Sequence, residues 1–162
     1  SPRLYPGQSK HLVGADSDEH DERGHITEAL LDVALPMAQK RLAKNKKIKK
    51  EVLPPQEISL DGADTALVGW GSTRETMLEA HDLLKENGVR AGVIHFSEMW
   101  PLPDYAFPAD KKTWIVENNA TGQLARLLRY EYNVVFEGSI HRNDGLPLTA
   151  DFIRTHFNAK RK

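Results

Sequence analysis

Apolar and polar positions change period several times along this chain, and from Gln56 onward the pattern is regular. Ile58-Ser59-Leu60 is a short strand candidate, stopped by Asp61-Gly62. Asp64 to Val68 is a compact apolar strand that runs into a glycine-broken turn, Gly69-Trp70-Gly71-Ser72-Thr73. Met77, Leu78, His81, Leu83 and Leu84 then recur at helical spacing, and Asn87-Gly88 supplies the stop. Val89 to Phe96 reads as the next strand, and Trp100-Pro101-Leu102-Pro103 as a stiff connection. Thr113 to Glu117 is a third strand, leading through Asn118 to Gly122 into a helix over Gln123 to Tyr132. A short strand near Ser139 to Arg142 follows, then a turn at Asn143-Asp144-Gly145 and a last helix from Thr149 to about Phe157. Strands alternating with helices predict an α/β fold with a mostly parallel sheet covered on both faces.

The first third has a different texture. Residues 1–26 carry scattered Pro and Gly and show no apolar period, which predicts an extended arm. Its centre, Asp16 to Glu22, is acidic. A Ca²⁺ loop beginning at Asp16 fails, because Asp21 stands where the turn glycine belongs and Thr27 where the bidentate Glu belongs. Residues 27–53 read as a helical linker, with Thr27 as a candidate cap, a break at Pro36 and a basic run from Lys40 to Lys50. That run contains no aromatic residue for base stacking, so it reads as a solvated helix face. Pro54-Pro55 closes the linker, and 54–162 is the expected compact domain.

Composition changes the picture only by exclusion. The 162 residues are 40% hydrophobic with a formal net charge of −1, so overall charge argues for neither nucleic acid nor a membrane surface. No apolar run approaches the roughly 18 residues of a membrane span, and the start is unlike a signal peptide. Cytoplasmic residence is the expectation. With zero cysteines, disulfides and thiolate-held clusters are excluded within this chain. The opening Ser1-Pro2-Arg3 suggests a piece of a longer protein.

Two loops carry the candidate chemistry. Gly69-Trp70-Gly71-Ser72-Thr73-Arg74 begins like a dinucleotide fingerprint but has Arg74 at the third glycine. Ser72 or Thr73 could cap the following helix, and the turn could hold an anion, touch a partner or be purely structural. Glu117, Asn118, Asn119, Gly122 and Gln123 lie at the carboxyl end of a strand, where parallel sheets bind ligands and partners. The plain alternative is loop and cap chemistry for the next helix. The site expected from the residues is therefore an anion or partner contact at Gly69, Gly71, Ser72, Thr73, Glu117, Asn118, Asn119, Gly122 and Gln123. The histidines do not group, no nucleophile elbow occurs, and neither catalytic residues nor metal ligands are assigned.

Three stretches taken together resemble a family. They are the arm Gly14 to Glu28, the turn Val68-Gly69-Trp70-Gly71-Ser72-Thr73, and Val116-Glu117-Asn118-Asn119-Ala120-Thr121-Gly122-Gln123-Leu124. In that order they resemble the alpha subunit of 2-oxoacid:ferredoxin oxidoreductases, the 2-oxoglutarate type most. The match covers nearly all of this chain but only the C-terminal part of such a subunit. The resemblance implies a transketolase C-terminal fold: three layers, α/β/α, on a five-stranded sheet whose first strand, here Ile58–Leu60, is antiparallel to the others. It implies a parent enzyme that decarboxylates a 2-oxoacid oxidatively onto coenzyme A and reduces ferredoxin, using thiamine diphosphate, Mg²⁺ and Fe–S clusters. Asn118-Asn119 lacks the upstream Gly-Asp-Gly of a thiamine diphosphate site, so this chain is expected to bind none of these cofactors and to be silent alone. Its implied role is to pack the alpha subunit against a beta subunit and a symmetry mate, with ferredoxin met through the complex. The alternatives are the same domain of a transketolase or 2-oxoacid dehydrogenase, or an independent anion- or nucleotide-binding module.

Overall fold

The computed structural model describes residues 4–5, 7–10, 18–21, 23–27 and 30–161. It divides into two compact units, with the boundary between Lys47 and Ile48.

Within the first unit, part of the arm is held by one side chain. Asp21 Oδ1 accepts hydrogen bonds from the Arg23 and His25 N–H groups, both at 2.9 Å. An isolated bridge joins His20 to Ile26 around this turn. The backbone bonds, that of His25 first, hold the Asp21 carboxyl below its usual pKa. Among the described residues no three His, Asp or Glu side chains gather as metal ligands. The helix begins with a π-helical turn, Leu30–Ala34, and continues as α1, Leu35–Ile48. Pro36 therefore does not break the helix. It sits in the first turn of α1, where its missing N–H costs least, and the irregular turn precedes it. The Thr27 N–H donates to the Glu19 carbonyl, and residues 28–29, which a Thr27 cap would serve, lie outside the described residues.

The second unit is built on five strands: β1 (Gln56–Ile58), β2 (Thr65–Trp70), β3 (Ala91–Phe96), β4 (Lys112–Glu117) and β5 (Gly138–His141). Their order is β1-β3-β2-β4-β5; β1 runs antiparallel to β3 and every other pairing is parallel. The first strand is displaced from the expected Ile58–Leu60. Ser59 takes a left-handed φ of 53°, which ends β1, and Leu60 turns into the core.

Helices α2 (Arg74–Glu86), α3 (Gln123–Tyr132) and α4 (Ala150–Arg161) complete the layers. The period of two along the central strands sorts their side chains between two cores. Leu67, Val93, Trp114 and Val116 pack with Met77, Leu84, Ile153 and Phe157 of α2 and α4. Ala66, Val68, Ile94 and Ile115 pack on the other face with Leu124 and Leu128 of α3. An aromatic loop helps α3 cover that face: Phe107 stands 5.0 Å from Tyr105 and 5.7 Å from Tyr132, ring centre to ring centre. Both faces being dry explains why β2, β3 and β4 read as unbroken apolar runs. The expected three-layer α/β/α sandwich with a mostly parallel five-stranded sheet is the fold observed.

Candidate functional site

Strands β2 and β4 are hydrogen-bonded neighbours running the same way, so their carboxyl ends turn at one edge of the sheet. The two loops singled out from the sequence therefore face each other. Between them lies a cleft of about 290 Å³ lined by Trp70, Gly71, Ser72, Thr73, Asn118, Asn119 and Gln123. Six of the nine candidate residues line it. Gly69, Glu117 and Gly122 lie buried, outside its lining.

Gly69 is required by packing. A Cβ there would stand 2.3 Å from Met77 Sδ and 2.7 Å from Thr73 Oγ1, so only glycine lets α2 sit this close to β2. Gly69→Ala is expected to cost about 1–3 kcal/mol through overpacking. Urea unfolding would measure the loss, and shortening Met77 in the same chain should return part of it. Thr73 takes the N-cap position of α2 but makes no side-chain cap bond to that helix. Its hydroxyl instead accepts from the Trp70 N–H at 3.0 Å and donates to the Trp70 carbonyl at 2.8 Å, closing the turn on itself.

Beneath this turn is His95, which no motif or spacing along the chain assigns to this loop. Strand register sets it opposite Gly69, and its Nε2 lies 2.9 Å from the Gly71 carbonyl oxygen. Burial, the largest influence, pushes the His95 pKa below its ordinary value of 6.5. The unfolded chain therefore takes up a proton before the folded one does. The stability contributed by neutral His95 is complete above about pH 6.5 and is lost as pH falls through the folded pKa. Unfolding free energies measured from pH 7.5 to pH 5 should fall more steeply for the native chain than for His95→Gln.

The Glu117 loop is a helix cap built from two side chains. Glu117 is fully buried. Its Oε2 accepts from Asn119 Nδ2 and from the Leu124 N–H, each at 2.7 Å, and its Oε1 accepts from the Ala125 N–H at 3.1 Å. Asn119 Oδ1 accepts from the N–H groups of Thr121 (3.2 Å), Gly122 (2.8 Å) and Gln123 (3.2 Å). The opening N–H groups of α3 are thus satisfied from within, and a carboxylate faces the positive end of the helix. Gly122, at φ 65°, is left-handed, and a Cβ on it would come within 3.1 Å of His141 Cε1. His141 Nε2 stands 3.9 Å from Glu117 Oε1. What remains open in the cleft is Trp70, 36% exposed, with the polar rim of Ser72, Asn118 and Gln123.

Known proteins share this arrangement of chain. The transketolase C-terminal domain model matches residues 56–121. Subunit alpha of 2-oxoacid:ferredoxin oxidoreductase 2 from Aeropyrum pernix is 35% identical over 155 residues, covering 91% of this chain and 24% of that protein. The 2-oxoglutarate synthase subunit KorA of Methanothermobacter marburgensis is 28% identical over 142 residues, covering 77% of this chain and 36% of its own. The chain thus spans about a quarter to a third of the length of these relatives. Among solved structures, the 2-oxoglutarate:ferredoxin oxidoreductase of Magnetococcus marinus superposes with a TM-score of 0.70 at 25% identity, over 100% of this chain and 29% of that one. The chain carries a transketolase C-terminal domain, and the relatives it matches over nine-tenths of its length are alpha subunits of 2-oxoacid:ferredoxin oxidoreductases.

Proposed function

We propose that this chain is the C-terminal part of an alpha subunit whose enzyme oxidatively decarboxylates a 2-oxoacid, forms the acyl-coenzyme A and passes the electrons to ferredoxin. Within that enzyme this piece holds subunits together and takes no part in the chemistry. The carrying observation is the state of Glu117. It is the fully buried carboxylate beside the cleft, and its oxygens are engaged by Asn119, Leu124 and Ala125. A carboxylate spent on a helix end is not available as a general acid or base.

The same bonds argue against a thiamine diphosphate and Mg²⁺ site in the cleft. Asn119 uses its amide oxygen and nitrogen within the loop, and the cleft lining contains no carboxylate to ligate a metal. These residues do not fit that cofactor, and the reading places thiamine diphosphate, Mg²⁺, Fe–S clusters and coenzyme A elsewhere in the parent enzyme. The partners proposed are a beta subunit and a second alpha subunit, with ferredoxin reached through the complex, in the cytoplasm. No described helix is long and apolar enough to cross a membrane. The exposed Trp70 and its polar rim are the proposed contact, since an aromatic ring in a polar surround is the composition of interface anchors.

The chain mixed with 2-oxoglutarate, coenzyme A and methyl viologen should reduce no dye and release no CO₂. Sustained dye reduction by the chain alone would sink the reading.

A further inference from the structure

Helix α1 is a 14-residue helix with no buried residue. Leu35 and Leu42, two turns apart, are 55% and 66% exposed, and Ala38 shares their face. A helix of this length is marginal in water unless an apolar face is covered. Charge restricts what can cover it. Between Lys40 and Lys50 stand seven cations and no acidic residue. Arg41 pairs with Glu19, and Lys49 Nζ lies 3.1 Å from Asp104 Oδ1. Lys44, Lys46, Lys47 and Lys50 make no hydrogen bond or ion pair among the described residues.

A second copy of α1 is a poor occupant, because residues 30–50 carry one acidic side chain, Asp32, to set against the seven cations of the facing copy. Nucleic acid would leave the leucines uncovered, and residues 30–50 contain no aromatic side chain for base stacking or for anchoring at a lipid interface. A narrow apolar seam flanked by cations fits a protein groove with an apolar floor and acidic walls. We propose that α1 docks in such a groove elsewhere in the assembled 2-oxoacid:ferredoxin oxidoreductase; this rests on the functional reading above.

The test uses the full-length enzyme, with a photo-crosslinking benzoyl-phenylalanine in place of Leu42 of this segment. After irradiation of the purified enzyme, mass spectrometry should find one protein crosslink, to a segment flanked by Asp and Glu. Lys44→Glu with Lys47→Glu should lower that crosslink yield about tenfold, as like charges replace complementary ones. Added salt should lower it too, because exposed charges are screened over about 10 Å at 0.1 M. A crosslink to a neutral or basic protein segment, to nucleic acid or to lipid would overturn the proposal, as would no crosslink at all. If the purified enzyme oxidises no 2-oxoacid with ferredoxin, the functional reading fails, while the crosslink still reports what covers α1. The isolated chain controls for folding: Leu35→Glu and Leu42→Glu should leave its urea midpoint unchanged, because neither leucine is buried in it.

Discussion

Phe157→Ala is expected to destabilise the domain by about 3–5 kcal/mol, the range for emptying a well-packed aromatic site. Phe157 is fully buried, and its ring centre lies 5.0 Å from that of Trp114 on β4. Helix α4 docks through few side chains, Ala150, Ile153 and Phe157 being its buried residues. Removing the largest of them leaves the helix held mainly by Ile153. Domains of this size have only about 5–15 kcal/mol in total, so the variant should lose a large fraction of its stability. Urea unfolding followed by Trp fluorescence gives the number. A loss below about 1 kcal/mol would mean that α4 does not depend on this contact.

Glu117→Ala should cost a similar amount, about 3–5 kcal/mol, for a different reason. The substitution leaves the Leu124 and Ala125 N–H groups buried without an acceptor and frees Asn119 Nδ2. It also removes the negative charge from the positive end of α3. Glu117→Gln keeps one oxygen acceptor but turns an NH₂ group toward a donor, so its loss should be smaller, about 1–3 kcal/mol. Hydrogen exchange should show the first turn of α3 opening faster in both variants, in that order. Equal stability of all three proteins would remove the cap as the explanation for this carboxylate.

The residues that make the sheet are legible in the sequence because the sheet is dry on both faces. Continuous apolar runs marked β2, β3 and β4, and the run Gln123 to Tyr132 gave α3 with the bounds observed. The less legible parts depend on bonds that sequence neighbours do not reveal. β1 ends at Ile58 because of one left-handed serine, and α4 continues to Arg161 although its last turn is polar. The aromatic loop around Phe107 reads as a connection but serves as part of a core. At the site, glycines and asparagines pointed to both loops, but only the placement of β2 beside β4 makes them one cleft. Whether Glu117 faced a ligand or a helix was open in the sequence, since its partners lie seven and eight residues away. His95 was hidden for the same reason, being set under Gly71 by strand register.

The most direct measurement is the native mass of the purified full-length enzyme and of a form whose alpha subunit lacks the segment corresponding to residues 54–162. The deletion should give folded subunits that no longer associate, with thiamine diphosphate affinity of the separated parts still measurable. A deleted enzyme that keeps its native mass and subunit ratio but cannot turn over 2-oxoacid would contradict the assembly role and move this domain into the chemistry.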